Sequence, residues 1–398
     1  MSFIDAEFAF YYRLVSESFE TRLSKVFFQM KIAQVAPLFE SVPPKYYGGT
    51  ERVVSWLTEE LVQRGHEVIL FASGDSETKA KLIPVCPRSL RLDKSSIDYN
   101  AHHILMLERV FQMADDFDII HSHIDYLAFP LIRRHPESAI LTTLHGRLDI
   151  PDLQPLYKEF PNIPVVSISH SQRVPLQNIN WISTVYHGLP RDLYKYHDRP
   201  GDYLAFLGRI SPEKRLDSAI EIAQRVQMPL KIAAKVDKVD MEYFQQVVHP
   251  LLRNPLVEYV GEIGEAEKNE FLGNAYALLF PINWPEPFGL VMIEAMACGT
   301  PIIARRHGAV PEVMEQGVTG FIVADVEEAV QAIEMIPRLQ RRRCREIFEE
   351  RFTSERMAAD YLRAYQALLE TRALSNKNRK PPLEKRHHSG EGHLLHQS

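Results

Sequence analysis

The sequence predicts an α/β protein made of two doubly wound parallel sheets. Short apolar runs that indicate buried strands alternate with segments of helical spacing, and this alternation is typical of parallel sheets with right-handed crossovers. The alternation occurs in two series, which a segment rich in Pro, Asp and Arg separates at residues 189–202. A length of 398 residues, with 45% hydrophobic and 25% charged residues, is enough for two globular domains.

The first domain is predicted over residues 30–188, after an N-terminal extension of residues 1–29. The extension begins with acids rather than basic residues and has no small-residue cleavage site, so it matches a signal peptide poorly. We expect it to be loosely attached, or the native chain to start at Met30.

A strand–helix–strand unit opens this domain. Its strands are predicted at Lys31–Ala36 and Glu67–Ala72, and its helix at Glu51–Arg64. Gly48 and Gly49 precede the helix, but they do not form the G-x-G-x-x-G fingerprint, which argues against a dehydrogenase. A helix is predicted at Leu127–Arg134, and further strands are predicted at Asp118–His123, Ala139–Leu144, Pro164–Ile168 and Ile182–Tyr186.

Three histidines fall at the ends of predicted strands: His121, His123 and His145. Such a group could indicate a metal site, since imidazole is a common metal ligand. However, His121 and His123 are separated by a single residue, and Asp125 is the only acid just beyond them. We therefore expect no metal here, and we expect His123 to be structural or to face the acceptor.

The second domain is predicted over residues 203–352, after the linker of residues 189–202. Arg209 and Lys214 follow its first strand. A guanidinium fork and a lysine point charge suit the oxygens of a diphosphate, whereas basic residues at a helix start oppose the helix dipole. Two solvated basic residues are the alternative. The strands are predicted at Tyr203–Leu207, Pro229–Ala234, Val257–Val260, Ala275–Ile282 and Pro301–Ala304.

We expect the ligand site in the segment Asn283–Val323. A strand leads through Glu286–Val291 into a helix. Glycine at such a turn lets a ligand approach the backbone closely. The free N–H groups at the start of the helix favour an anion. Glu294 lies inside the helix, in an apolar stretch where an unpartnered carboxylate is costly. Each acid alone also fits a helix-dipole partner or a solvated face. Together they can hold two ends of one nucleotide sugar, because a carboxylate can accept from two vicinal hydroxyls.

The residues around these acids also carry a family resemblance. EPFG, EAMACGTP and GVTGFIV, with Glu286 and Glu294 eight positions apart, resemble the E-x7-E signature of family-four retaining glycosyltransferases, or glycosyl transferase group 1. The resemblance covers roughly Met30 to Arg372. It implies the GT-B fold, in which two Rossmann-like domains face a central cleft. YGGTE, RGHEV and LFASGDS resemble a bacterial, largely cyanobacterial, subgroup.

The resemblance implies roles for individual residues. Glu286 is expected to contact the sugar hydroxyls, Glu294 the ribose, and His145 the donor sugar. Arg209 and Lys214 are expected to hold the pyrophosphate. The expected catalytic set is Glu286, His145, Arg209 and Lys214. The donor-binding set adds the glycine loop, a backbone contact to the base and the turn: Gly48, Gly49, Ile263, Phe288, Gly289, Leu290 and Val291.

The expected function is retaining transfer of a hexosyl group to an acceptor hydroxyl, with UDP-glucose as the leading donor. The resemblance implies that no metal or other cofactor is needed. The acceptor stays open between a small molecule such as a pterin, a glycan and a lipid, and so does a peripheral membrane contact. A net charge of −6 without a dominant basic face argues against nucleic acid. Three widely spaced cysteines fit a reduced, cytoplasmic setting.

Other functions stay open. A glycoside hydrolase could use Glu286 and Glu294 as its acid pair, although hydrolysis gives no role to Arg209 and Lys214. A phosphorylase or a nucleotide-sugar epimerase would share the fold and some of the cations. A noncatalytic protein would bind a nucleotide sugar without turnover.

The C-terminal part is predicted to end in a long helix at residues 353–373. Its apolar residues recur on one face, and in GT-B proteins such a helix crosses back onto the first domain. Residues 374–398 have no apolar periodicity and cannot bury enough surface to fold, so they are predicted to be disordered.

Overall fold

The computed structural model describes residues 29–378, and it confirms an α/β fold with two parallel sheets. The predicted extension of residues 1–29, apart from its last residue, and residues 379–398 of the predicted tail lie outside the described residues. The strands of the first sheet all precede those of the second along the chain. Each sheet therefore folds from one continuous part of the sequence.

The first sheet has seven parallel strands in the order β3-β2-β1-β4-β5-β6-β7. Six of them lie at predicted positions. The edge strand Lys81–Pro84 and the helices Tyr99–Gln112 and Leu153–Glu159 were not predicted. Two of the four residues of the edge strand are exposed, so it lacks a buried apolar run. The strands are β1 Lys31–Val35, β2 Glu67–Ala72, β3 Lys81–Pro84, β4 Ile119–Ser122, β5 Ile140–Thr143, β6 Val165–Ser167 and β7 Trp181–Thr184. The helices are α1 Gly49–Gln63, α2 Tyr99–Gln112, α3 Phe129–Arg134 and α4 Leu153–Glu159.

The second sheet has six parallel strands in the order β10-β9-β8-β11-β12-β13. The strand β8 is longer than predicted, because it pairs with β9 as far as Ile210, and Arg209 therefore lies within a strand rather than after it. The strands are β8 Tyr203–Ile210, β9 Leu230–Val236, β10 Val257–Gly261, β11 Ala275–Phe280, β12 Ile302–Arg305 and β13 Gly320–Val323.

The helices between residues 203 and 378 follow in chain order. They are α5 Leu216–Arg225, α6 Met241–Tyr243, α7 His249–Leu251, α8 Glu265–Gly273, α9 Leu290–Cys298, α10 Val310–Val313, α11 Val326–Met335, α12 Arg341–Arg351 and α13 Ser354–Asn378. The helix α10 has only four residues. In the first sheet, β2 and β3 lie on one side of β1 and the later strands lie on the other; in the second sheet, β9 and β10 lie on one side of β8 and the later strands on the other. Each sheet therefore has a switch point where its strand order reverses, and ligands bind beside such points in open α/β sheets.

The last helix, α13, lies against the first sheet. The Tyr365 hydroxyl accepts a hydrogen bond from Gln34 Nε2 at 3.2 Å, and it lies 2.7 Å from His121 Nδ1. Tyr361 and Tyr365 are both fully buried, which explains why the apolar face of this helix can be recognised in the sequence. The helix continues to Asn378, so residues 374–378, which we predicted to be disordered, are helical.

Candidate active site

A cavity of about 430 Å³ is lined by residues from both halves of the chain. Gly48, Gly49 and His145 come from the first half, and Arg209 and Lys214 from the second. The structure brings all the predicted site residues to this one cavity; the others are Ile263, Glu286, Phe288, Gly289, Leu290, Val291 and Glu294.

The turn before α9 is built around Gly289. Its φ of 84° lies in the left-handed region, and a Cβ there would come within 2.8 Å of Met292 Cε. Glycine is therefore favoured by the backbone conformation, and a side chain here would also have to displace the end of Met292. The first N–H groups of a helix have no intrahelical acceptor, and in α9 these are the groups of Leu290 and Val291. No side chain caps this helix start, and both residues line the cavity. This is an arrangement that favours an anion.

Glu286 is buried, with 9% of its surface exposed, and it is ion-paired with Lys214. The Trp284 indole N–H also donates to Glu286 Oε2 at 3.0 Å. The backbone behind the acid is tightly packed: Ala309 N–H donates to the Glu286 carbonyl at 2.9 Å, and a Cβ on Gly308 would meet the Glu286 backbone at 2.3 Å. The predicted sugar-binding acid and the predicted phosphate-binding lysine thus contact each other.

Glu294 is 3% exposed and pairs with Lys268, whose Nζ lies 2.7 Å from Glu294 Oε1. Lys268 Nζ is also 3.7 Å from Glu265 Oε2. Glu265 in turn accepts hydrogen bonds from Arg52 of the first half and from Tyr194. A buried carboxylate in an apolar helix must have a partner, but the sequence did not identify Lys268, which is 26 positions away.

Arg209 is held among three acids. Its guanidinium lies 2.8 Å from Glu213, 3.6 Å from Asp237 and 3.5 Å from Asp240. Burial raises the pKa of Asp240, while Arg209 lowers it. The acids fix the guanidinium beside the cavity that it lines, and a fixed fork of donors can recognise phosphate oxygens.

Lys235, whose role the sequence did not define, lies at the boundary between the two halves. Its Nζ is 3.0 Å from Asp237 Oδ1 and 4.2 Å from the centre of the Tyr47 ring. The Tyr47 backbone N–H donates to Glu262 Oε1 at 3.2 Å. Tyr47, Lys235 and Glu262 all line the cavity, so these contacts join its two walls.

The histidines of the first sheet form a hydrogen-bonded chain. His123 Nε2 lies 2.7 Å from Gln34 Oε1, and His123 Nδ1 lies 2.9 Å from His145 Nε2. Because an amide oxygen only accepts, His123 carries its proton on Nε2, and His145 donates to His123 Nδ1. Both ring nitrogens of His121 are likewise hydrogen-bonded, Nδ1 with the Tyr365 hydroxyl and Nε2 with the Thr143 hydroxyl. Both ring nitrogens of His123 are therefore hydrogen-bonded within the protein, and its structural or acceptor-facing role stays a prediction.

Burial keeps these rings neutral. It lowers the pKa of His145 to about 3 and holds the pKa of His121, His123 and His187 well below its usual range. Within residues 29–378, no group of three or more His, Cys, Asp or Glu side chains is placed to hold a metal ion. That the reaction needs no metal stays a prediction.

Several cavity residues were not predicted as site residues. Glu51 in the first turn of α1 lines the cavity, and so does Arg147, whose guanidinium lies 5.6 Å from the centre of the Trp284 ring. The His187 ring stacks on that of His145 at 5.4 Å. Glu51 stood next to the glycine loop in the sequence, but an acid in a first helical turn is too common to be informative.

None of the helices in residues 29–378 is both long and apolar enough to cross a membrane.

Two family models match the chain in succession. The model Glycosyltransferase Family 4 matches residues 47–207, and the model Glycosyl transferases group 1 matches residues 196–351. Together they include every residue that lines the cavity apart from Tyr46.

Known proteins resemble this chain over most of its length. N-acetyl-alpha-D-glucosaminyl L-malate synthase of Bacillus anthracis is 27% identical over 367 residues, which is 81% of this chain and 94% of that protein. Sucrose-phosphate synthase from Thermosynechococcus elongatus has a TM-score of 0.70 at 19% identity, covering 86% of this chain and 100% of that one. HepE of Anabaena, solved in complex with UDP and glucose, has a TM-score of 0.65 at 17% identity, covering 87% and 100%. The fold is GT-B, and the chain, an enzyme of the transferase class, belongs to the group 1, family 4 glycosyltransferases.

Proposed function

We propose that this glycosyltransferase moves a hexosyl group from UDP-glucose to an acceptor hydroxyl with retention of anomeric configuration. The observation that carries the proposal is the single cavity that is lined by Arg209, by the start of α9, and by the buried acids Glu286 and Glu294 with their lysine partners. A nucleotide sugar has the matching groups: a diphosphate for the cations, and a ribose and a hexose for the acids. HepE, which shares the fold, was solved with UDP and glucose bound, and this supports a uridine donor.

The leaving diphosphate is assigned to Arg209, Lys214 and the N–H groups of Leu290 and Val291. As the glycosidic bond breaks, negative charge grows on the diphosphate, and fixed donors stabilise it without reorganising. Lys214 has to turn part of its hydrogen bonding from Glu286 to the phosphate, which it can do because an ammonium has three donors. These groups supply the positive charge, and we propose that no divalent metal is needed.

The hydroxyls are assigned to the two acids. Glu294, held by Lys268, accepts from the ribose, and Glu286 accepts from the hexose. His145 contacts the donor sugar as a neutral ring. Since its pKa is lowered to about 3, it adds no positive charge beside a sugar that becomes oxocarbenium-like during transfer. Ile263 lines the cavity and is assigned to the base through its backbone.

The acceptor enters from the first half of the chain in this proposal, and Gly48 and Gly49 close over the donor phosphates. The reaction is placed in the cytoplasm, where the buried thiols of Cys86, Cys298 and Cys344 remain reduced. The acceptor is a small molecule, a glycan or a lipid. A lipid acceptor would bring the protein into peripheral contact with a membrane.

The test is a ligand screen of the purified protein by thermal shift and calorimetry, in EDTA, against UDP, GDP, ADP and their common sugar conjugates. A ligand at about a hundredfold over its Kd stabilises the folded state by roughly 2.7 kcal/mol. We expect UDP and UDP-glucose to bind without metal. Binding of none of these ligands would refute the donor assignment, and binding only with a divalent cation would refute the metal-free mechanism.

Turnover then separates the competing reactions. A transferase releases UDP faster when an acceptor is present, and NMR of its product shows the α-anomer from an α-linked donor. Release of sugar phosphate would indicate a phosphorylase, an epimerised donor would indicate an epimerase, and hydrolysis of a simple glycoside would indicate a hydrolase. Tight donor binding with no reaction would indicate a binding protein.

A further inference from the structure

Glu51 is a buried carboxylate that the proposed donor chemistry does not use. It lies in the first turn of α1, lines the cavity, and is 5% exposed. Within residues 29–378, no lysine, arginine or histidine forms an ion pair with it. Arg52, the next residue, pairs with Glu265, and Arg91 pairs with Glu40 at 2.9 Å.

The surroundings of Glu51 oppose its charge. Burial raises the pKa of Glu51, and the neighbouring Glu40 raises it further, whereas the backbone N–H groups of Glu51 and Glu40 and the Arg91 guanidinium lower it. A buried carboxylate without a cation costs stability. Two backbone N–H groups and the start of α1 stabilise the carboxylate, but the ion pairs of residues 29–378 include no cation for it.

The carboxylate lies directly beneath the glycine loop. Its Oε2 is 3.2 Å from the position that a Cβ on Gly48 would occupy. The corresponding position on Gly49 is 3.6 Å from Leu290 Cδ1 in the donor turn. A hydroxyl compound bound by Glu51 would therefore lie on the first-half wall of the cavity, next to the turn assigned to the leaving diphosphate.

We propose that Glu51 binds the acceptor, by accepting a hydrogen bond from a hydroxyl adjacent to the one that attacks, and that the acceptor is accordingly a polyol or a sugar. This inference rests on the proposed function. In the transfer, the attacking oxygen bonds to the anomeric carbon while the bond from that carbon to the diphosphate oxygen breaks. The attacking hydroxyl's proton passes to the released diphosphate. Glu51 keeps its hydrogen bond throughout and takes no proton.

The experiment compares two reactions of the same donor in the wild type and in Glu51→Gln. In the first reaction, water hydrolyses UDP-glucose, and this needs no second hydroxyl. In the second, the glucosyl group is transferred to glycerol, D-glucose, D-fructose or myo-inositol. A hydrogen bond to a charged group contributes on the order of 10- to 100-fold, and glutamine keeps a weaker acceptor. We expect the KM for the polyol to rise about tenfold, with the KM for UDP-glucose and the rate of hydrolysis unchanged.

Glu60→Gln is the matched control. Glu60 lies on the same helix, is partly buried, and has its pKa raised by burial, but it accepts a hydrogen bond from Ser354 Oγ at 2.8 Å and does not line the cavity. We expect it to leave the KM for the polyol unchanged. The thermal midpoint of Glu51→Gln at pH 8 should equal or exceed that of the wild type, because the substitution removes a buried charge.

Three results would overturn the inference while the proposed function stands. These are an unchanged KM for the polyol in Glu51→Gln, a Glu51→Gln variant that is destabilised or fails to fold, and a wild type that hydrolyses UDP-glucose but transfers to none of the four polyols. Failure of the wild type both to bind and to turn over any nucleotide sugar would instead refute the proposed function.

Discussion

Replacing Lys268 with methionine tests whether the partner of Glu294 was identified correctly. The substitution keeps most of the aliphatic stem and removes the ammonium 2.7 Å from Glu294. Breaking a fully buried pair by removing one partner costs about 3–5 kcal/mol, because the other charge stays buried. The Lys268 side chain is 13% exposed, so water can replace part of the lost interaction, and we expect a loss of about 2–4 kcal/mol in the free energy of unfolding.

The assay is urea unfolding followed by circular dichroism, with extrapolation to water. The matched control is Lys231→Met, which breaks a Lys231–Glu258 pair of 3.3 Å whose side chains are 35% and 60% exposed. That exposed pair should contribute less than about 1 kcal/mol. Glu294→Gln combined with Lys268→Met should recover part of the loss, because the orphaned charge is then gone. Equal losses for the two lysine variants would show that Lys268 does not stabilise the buried charge of Glu294, and so would a double variant no more stable than Lys268→Met.

Three further predictions concern the turn, the leaving group and pH. Lys214→Ala should lower kcat by an amount that corresponds to about 2–4 kcal/mol of lost transition-state stabilisation. The measurement is the rate of UDP release at a saturating donor concentration. Gly289→Ala should destabilise the fold by at least about 1–2 kcal/mol in urea unfolding, since it forces a left-handed residue and meets Met292 at 2.8 Å. Burial raises the pKa of Asp125 to about 6, so the folded state binds a proton more tightly than the unfolded state and loses stability as pH rises through about 6. Asp125→Asn should reduce that loss when thermal midpoints are compared between pH 4 and pH 8.

Each of these predictions has an outcome that would contradict it. If the change in kcat corresponds to less than about 0.5 kcal/mol of transition-state free energy, Lys214 behaves as an ordinary surface lysine. A Gly289→Ala variant as stable as the wild type would mean that the turn can relax. For Asp125, parallel curves of thermal midpoint against pH in wild type and variant would mean that another group causes the loss.

The fold and the turn before α9 could be predicted because their signals are local. Buried strands such as Glu67–Ala72 are continuous apolar runs, and in a parallel sheet covered on both faces such runs are distinctive. Gly289 and Glu286 lie within a few residues of each other, so one short segment contains the turn, the acid and the helix start. The edge strand Lys81–Pro84 was missed because an exposed edge removes the apolar signal.

The partners of the site residues could not be predicted, because they are brought together by the fold. Lys268 is 26 positions from Glu294, and Lys214 is 72 positions from Glu286. A buried acid needs a cationic partner, but many lysines of the chain could supply it, and the sequence does not indicate which one the fold brings near. The extension of strand β8 to Arg209 likewise depends on pairing with β9, which no property of the Arg209 segment alone indicates.

The contacts between the two halves link the cavity wall that carries Glu51 to the wall that carries Glu294. Arg52 lies next to Glu51 in α1, and it donates to Glu265, which shares Lys268 with Glu294. In the proposed function, a donor whose ribose binds Glu294 would therefore act, through Lys268 and Glu265, on the Arg52 side chain at the start of α1. If the halves move apart, Arg52 loses Glu265, and the walls that carry Glu51 and Glu294 separate together. Donor and acceptor binding should accordingly favour the same closed arrangement, and each substrate should raise the affinity for the other.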